Sequence, residues 1–465
     1  AAGSIVQRAT IENGQLLYTD LEQGRYYIKQ ITPPKGYSKK DTEYNVNLLY
    51  EGEKVELIEK SVTLEEKVNK QAFQVLKIGN TGSSDEFVAL EGVGFKIHLI
   101  SELSKVKNGE IKSDEEGNYK LEDFEGYDFT NEPTVMDYTN STNGQMLGEL
   151  FTDEDGVLVT PEIPYGKYIV EESTVPEDRF DLEPFFVTVN EDNRVPKKIR
   201  IFYNEKFVSK IQVIKKDRTT GKTVLKANSK YRILNKDTNK YVEQWITYPV
   251  KTLLGTEANP YTTDETGTVT TALNLDIGNY ELQEIGAPEG YVLQGYEGKS
   301  EQGQYTSGPQ DKISFSIYKT MATEYDEDTG DAILKVEQYN EQQLGSLNIN
   351  VTGQYLSSYS KDENANYRFN YEERPIQGIE FTLYAKYNVN SQDNQNDIVY
   401  YKDEAVASVL SDGKGNCIID NLPIGIYYLK QTRAVDGFAI NNEKKEIEIT
   451  YEGQEKAVVY RNSSY

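Results

Sequence analysis

The sequence predicts an all-β chain divided into tandem domains, and three observations carry that reading. Short alternating runs, such as Ile211-Gln212-Val213-Ile214 and Phe95-Lys96-Ile97-His98-Leu99, are bounded by Gly, Asn, Asp and Pro clusters, the pattern of half-buried strands between turns. Tyrosine is abundant, 36 residues against one Trp, and it suits strands because its ring packs on a pleated surface while its hydroxyl reaches water. One motif recurs four times at intervals of about 110–150 residues, a domain-sized rather than solenoid-sized period. At roughly 100–200 residues per domain, 465 residues hold three or four domains.

The four copies are Gly24-Arg25-Tyr26-Tyr27-Ile28-Lys29-Gln30, Gly166-Lys167-Tyr168-Ile169-Val170-Glu171-Glu172, Gly278-Asn279-Tyr280-Glu281-Leu282-Gln283-Glu284 and Gly425-Ile426-Tyr427-Tyr428-Leu429-Lys430-Gln431. Each reads Gly-x-Tyr-x-aliphatic-x-Glu/Gln. Three run on into a turn: Pro33-Pro34-Lys35-Gly36-Tyr37, Ala287-Pro288-Glu289-Gly290-Tyr291 and Ala434-Val435-Asp436-Gly437-Phe438. The second continues as Val175-Pro176-Glu177-Asp178-Arg179-Phe180, with no Gly in the turn. The domains expected are 1–69, short of its N-terminal part, then 70–205 with a long insertion, 206–341, and 342–465. A short helix is expected over Leu99–Lys107.

Strand parity makes the motif chemically informative, because residues i, i+2 and i+4 share a face. Tyr168 and Val170 in the core carry Glu172 inward, and Tyr280 and Leu282 carry Glu284. The first strands of the two central domains pose the same puzzle with opposite sign: Lys77 lies on the face of Phe73 and Val75, and Lys215 on that of Ile211 and Val213. The last strands end in Tyr-Asn-Glu. Asn340 follows the parity of Leu334 and Val336, while Asn204 shares a face with both Phe202 and Arg200. Each central domain thus supplies one Lys, one Glu and one Asn at matching places. Burial favours a neutral, nucleophilic lysine amine and a protonated glutamic acid. An acid donating to the Asn carbonyl would polarise its carbon, and the amine would attack and expel ammonia, leaving a Lys–Asn amide without metal or cofactor. The plainer alternative is a buried Lys–Glu salt bridge beside an Asn; the duplication favours the chemistry. The outer domains serve as controls. Val351 stands at the lysine place and Gln431 at the glutamate place in the fourth, which keeps Asn462; the first has Gln30 and only Asn69. No bond is expected in either.

At these residues the chain resembles the Cna B-type (SpaA-like, prealbumin-like) modules of Gram-positive surface adhesins and pilins, over essentially its whole length. The segment from Tyr280 to Tyr291 matches the family's Tyr-x-aliphatic-x-Glu box and following turn fully. The resemblance implies tandem Greek-key β-sandwich (reverse immunoglobulin-like) modules in an elongated array. It also implies intramolecular isopeptide bonds Lys77–Asn204 and Lys215–Asn340, with Glu172 and Glu284 catalytic. The function implied is the stalk of a cell-surface adhesin, extracellular and wall-attached through regions outside this sequence, with no enzymatic activity beyond its own cross-linking. A pilus backbone or accessory pilin is the nearest alternative, and a glycan or matrix-protein binder using the module insertions is another. There is no Leu-Pro-x-Thr-Gly sorting signal and no Tyr-Pro-Lys-Asn pilin motif; Tyr248-Pro249-Val250-Lys251 is only a faint likeness. An extracellular glycosidase would need two acids in one cleft, whereas Glu172 and Glu284 are expected in separate cores.

Composition sets the remaining bounds. The net charge of −26 argues against nucleic acid and anionic membranes. One Cys excludes an internal disulfide, and one His leaves only His98 for any triad. No run approaches 18 apolar residues, so no membrane span is expected. The first ten residues lack a charged start and an apolar core, so by composition alone the chain reads as cytoplasmic or as a processed piece of something larger. A monomer without cofactor or metal is expected. The acidic loops at Asp153–Asp155 and Asp326–Asp331 are read as hairpin turns rather than calcium sites. Cys417 is expected to be a small buried strand residue. Two polar insertions, Lys105–Gln145 and Tyr355–Asn370 with the Asn-rich loop Asn388–Asp397, are the candidates for recognising host matrix or glycan, with plain solvated loops as the alternative.

Overall fold

A computed structural model describes residues 3–81, 86–137, 145–146, 148–190, 195–293, 312–321, 324–326 and 329–465, with side chains at 136–137 and 145–146 left aside. It is an all-β chain in two compact units, Ala1–Lys206 and Phe207–Tyr465.

In the first unit, Gly24–Lys29 pairs antiparallel with Glu43–Leu48, an arrangement without a closed core. The sandwich that follows has one sheet ordered Leu150–Phe151, Gly94–Leu99, Gly166–Thr174, Phe185–Val189. The facing sheet is ordered Val157–Val159, Gln74–Asn80, Arg200–Asn204. Phe73, Val75, Phe95, Ile97, Tyr168, Val170 and Val187 fill the space between. First and last strands are parallel neighbours, with Phe202 opposite Lys77 and Asn204 opposite Gly79.

The second unit repeats the plan twice. Val208–Asp217 pairs parallel with Ala332–Asn340, facing a sheet in which Lys230–Asn235, Gly278–Gly286 and Lys312–Ile317 are neighbours. Leu344–Asn350 pairs parallel with Val458–Ser464, facing Glu380–Ala385, Gly425–Arg433 and Lys444–Ile449. In all three sandwiches the motif strand is interior to its sheet, which accounts for its apolar parity.

The motif tyrosine has a constant task. Tyr26, Tyr168, Tyr280 and Tyr427 each donate their hydroxyl to the carbonyl four residues earlier, at 2.6–2.8 Å. A small residue alone could not both fill the core and pin the entry of the strand. The turn after the motif closes alike in all four copies, by Tyr37 N–H to Pro34, Arg179 to Pro176, Tyr291 to Pro288 and Phe438 to Val435. Gly36, Gly290 and Gly437 take φ of +86°, +89° and +91° there, where a side chain would be strained.

The described part of the insertion in the first sandwich packs a core of its own. A 3₁₀ turn at Ile100–Glu102 and one helical turn at Ser104–Lys107 begin it. Ile100, Leu103, Ile111, Phe124 and Phe129 then form a second core over Ile169, on the outer face of the motif sheet. This cover is why Ile169 is fully buried although its parity points away from the sandwich interior. His98 is buried against it, stacked on Phe129 at 5.1 Å with Nδ1 3.0 Å from Pro133 O. Tyr138 lies outside the described residues.

The Asn-rich loop also has a structural role. Leu225 N–H donates to Asp393 O and Thr220 Oγ1 to Asp393 Oδ2, both at 2.7 Å, and Lys226 Nζ reaches Gln392 Oε1 at 3.0 Å. The loop therefore joins the two sandwiches of the second unit. Another of the proposed recognition segments, the hairpin of Thr352–Lys361 with Tyr367–Pro375, is exposed along most of its length.

Candidate functional site

Parity and sheet pairing bring each predicted triplet together. Gln74–Asn80 carries Lys77 into the first sandwich with no exposed surface, and Gly166–Thr174 brings the Glu172 side chain, also fully buried, from the opposite sheet. Lys77 Nζ stands 2.7 Å from Glu172 Oε1. Asn204 Nδ2 donates to Oε1 at 3.1 Å and Oε2 at 3.0 Å, and Leu182 N–H donates to Oε2 at 2.7 Å. Phe95 and Phe202 wall the amine, their ring centres 5.8 and 5.9 Å from Nζ. Arg200, the uncertain point in the parity of Asn204, has turned outward to the Phe186 carbonyl.

The second sandwich repeats the arrangement. Lys215, Glu284 and Asn340 are all buried, with Nζ 2.6 Å from Glu284 Oε1 and Asn340 Nδ2 donating to the same oxygen at 3.2 Å. The two sites share their strand register. Gln338 lies opposite Lys215 and Asn340 opposite Asp217, so each Asn is displaced from its lysine by the same two-residue step.

In each pair burial works against the charge of one partner. Burial lowers the Lys77 amine below the ordinary lysine range, more than Glu172 raises it. Nζ approaches the carboxylate without a well-aligned hydrogen bond, which leaves the ammonium poorly served for a buried charge. Burial likewise raises Glu284 above the ordinary carboxylate range, against the opposing pull of Lys215. Asn204 Oδ1 and Asn340 Oδ1 are buried and have no hydrogen-bond donor among the described residues. A half-turn of either amide about Cβ–Cγ would bring that oxygen to the carboxyl, where a protonated acid can serve it.

The outer repeats identify the equivalent positions by backbone contacts. Lys77, Lys215 and Val351 N–H donate to Gly156, Gly267 and Gly415 O at 2.8–2.9 Å, so Val351 does occupy the lysine place. Leu182, Lys40 and Asn441 N–H donate to the side chains of Glu172, Gln30 and Gln431, each ten residues upstream, so both Gln occupy the acid place. Asn462 is out of register, opposite Asn348, well before the point that would match Asn204 and Asn340. Asn69 is not the first repeat's counterpart either. The sequence spacing from Asn204 to Lys215 and from Asn340 to Val351 is matched by Glu66 to Lys77. Glu66 accepts from Gln30 Nε2 at 2.8 Å, while Asn69 Oδ1 accepts from Ser38. In that repeat the acid and the amide have exchanged places.

A family profile described as SpaA, prealbumin-like fold domain, matches residues 126–201, 209–299 and 368–464, more than half of the chain. The chain belongs to the SpaA prealbumin-like fold family. Among solved structures, the Bacillus anthracis TIE protein is 18% identical, with 85% of this chain and 51% of that one covered and a TM-score of 0.42. The SpaA-family chain thus spans about half the length of that protein. A streptococcal ancillary pilin is 12% identical over 84% of this chain and 99% of its own, TM-score 0.25. The shaft pilin SpaA from Lactobacillus rhamnosus GG is 15% identical over 59% and 98%, TM-score 0.23. No curated protein sequence matches the chain.

Other SpaA-family residues singled out in the sequence have structural roles. Asp153 Oδ1 accepts the backbone N–H of Asp155 and Val157, so this acidic turn holds its own backbone. Glu327 and Asp328 of the other acidic loop lie outside the described residues. Among the described residues no group of three or more His, Cys, Asp or Glu is placed to hold a metal, and no helix is long and apolar enough to cross a membrane. Cys417 is buried, and burial pushes its thiol up to about 11.

Proposed function

We propose that this chain is a stalk segment of a Gram-positive cell-surface adhesin whose two central sandwiches cross-link themselves, Lys77 to Asn204 and Lys215 to Asn340. The observation that carries the reading is the duplication: two buried Lys–Glu–Asn triads on equivalent strands with one shared register. A structural ion pair has no need of an Asn held at the same offset in both.

The step is a transamidation. Within the buried pair the proton passes from the lysine ammonium to the glutamate, giving a neutral amine and a neutral acid. The acid donates to Asn Oδ1, and the Nζ lone pair attacks Cγ. A C–N bond forms to lysine, the bond from Cγ to the amide nitrogen breaks, and the glutamate shuttles the proton from Nζ to that departing nitrogen. Neutral ammonia leaves, and the glutamic acid keeps the proton it took from the lysine ammonium, so atoms and charge balance.

Mechanically, the bond joins the first strand to its parallel neighbour, the last. Tension entering before Lys77 leaves after Asn204 through a covalent link, and the strands between carry none of it. Family membership and cross-linking without disulfides, in a chain with one Cys, support an extracellular setting. Proteolytic peptide mapping tests the chemistry: branched peptides joining Lys77 to Asn204 and Lys215 to Asn340 are expected, and only linear peptides at both places would defeat it.

A further inference from the structure

The two triads match, but their surroundings do not. At the first site Phe95 and Phe202 stand around the amine, and both oxygens of Glu172 are engaged: Oε1 by Lys77 and Asn204, Oε2 by Asn204 and the Leu182 N–H. At the second site Tyr231 takes the place of Phe95, opposite Glu284 as Phe95 is opposite Glu172. Gln338 takes the place of Phe202, opposite the lysine.

Glu284 uses Oε1 for both Lys215 and Asn340, and Oε2 has no hydrogen-bond partner among the described residues. Tyr231 Oη and Gln338 Nε2 are buried with none either. Both lie close enough to feel or influence that carboxyl: after burial, Glu284 is the next hindrance to ionising the Tyr231 phenol, and the Gln338 amide opposes, more weakly, the burial that raises Glu284. Ser229, beside Tyr231 and equally unsatisfied, can donate to the phenol oxygen and leave the phenol proton free for Glu284. An orphan acceptor and two orphan donors in one buried cluster are costly apart and complementary together.

We infer that Tyr231 and Gln338 are positioning residues of the second cross-linking site, closing on Glu284 Oε2 and fixing the carboxyl so that Oε1 works between Lys215 and Asn340. They do there what the Leu182 N–H does at the first site. The inference rests on the cross-linking proposed above.

The test is a time course on the full chain made by cell-free synthesis, with each bond quantified by peptide mapping and the Lys77–Asn204 bond as internal control. Tyr231→Phe and Gln338→Leu are each expected to slow the Lys215–Asn340 bond about tenfold, the rate equivalent of one hydrogen bond, and to leave the other bond unchanged. A purely structural role is read separately, from thermal unfolding in a Glu284→Gln background, where the second bond cannot form. With the carboxylate gone from that background the Tyr231 hydroxyl loses its charged acceptor, so Tyr231→Phe should leave its stability unchanged. Slower bonding without lost stability supports the inference. Bonding at the unsubstituted rate, or slowing matched by a lower Tm in the Glu284→Gln background, overturns it alone. Absence of both bonds from the unsubstituted chain overturns the cross-linking proposal with it.

Discussion

Replacing Asn204 by Ala removes the electrophile of the first cross-link and leaves the Lys77–Glu172 pair at 2.7 Å in place. The bond would enclose about 125 residues, and chain entropy values a cross-link of that reach at about 5 kcal/mol. For a sandwich of this size each kcal/mol moves Tm by about 4 °C, so a fall of about 20 °C is expected in the transition of the unit that ends at Lys206. The second unit, with its own triad, should unfold unchanged in the same scan. Glu172→Gln should fall further, because it loses the bond and also leaves a buried lysine without its counter-charge, a loss of about 3–5 kcal/mol unless the amine gives up its proton. Calorimetry paired with intact mass separates the contributions. The reasoning is refuted if Asn204→Ala keeps the mass deficit of the parent chain, or if it loses the deficit and its transition stays within a few degrees of the parent.

Other outcomes follow from particular contacts. Installing Val351→Lys with Gln431→Glu in the fourth repeat should give no new mass deficit, because Asn462 stands opposite Asn348 and out of register; a further lost ammonia would contradict the register argument. Asn274 first, and Lys210 after it, hold the Asp331 carboxyl down to about 2 from the ordinary 3.8. Its folded-state value is lowered, so its contribution is full above the ordinary value and is lost as pH falls toward 2. Asp331→Asn should therefore flatten the acid limb of stability for the second unit, and an unchanged limb would exclude that role. Phe124→Ala should destabilise the insertion by about 3–5 kcal/mol and expose it to limited proteolysis before the sandwich beneath it; equal cleavage rates in variant and parent would show that the insertion needs no core.

The triads were legible because a strand alternates with period two and charged residues on an apolar face stand out. Lys77, Lys215, Glu172 and Glu284 could each be read from one short segment. Asn204 and Asn340 needed the further step of matching the two central repeats. What surrounds them was not legible. Tyr231 and Gln338 come from strands far apart in sequence, and their likeness to Phe95 and Phe202 appears only in the pairing register. Asn69 and Asn462 attracted attention by residue type, yet the interval to Lys77 and the hydrogen bond from Gln30 give the first position to Glu66, and strand pairing puts the second out of register. A fixed interval to the following lysine strand was the available signal for Glu66. The polar insertion at Lys105 concealed its own core because Phe124 and Phe129 follow no strand period. The Asn-rich loop concealed a joint whose partners, Thr220 and Leu225, belong to another sandwich.

On the reading proposed for this chain, two buried triads react to completion without help. Intact mass of the purified chain reads this out: a mass short by two ammonia molecules is expected, one restored by Glu172→Gln and both by adding Glu284→Gln, after correction for the substitutions themselves. A parent chain with the full sequence mass would contradict it.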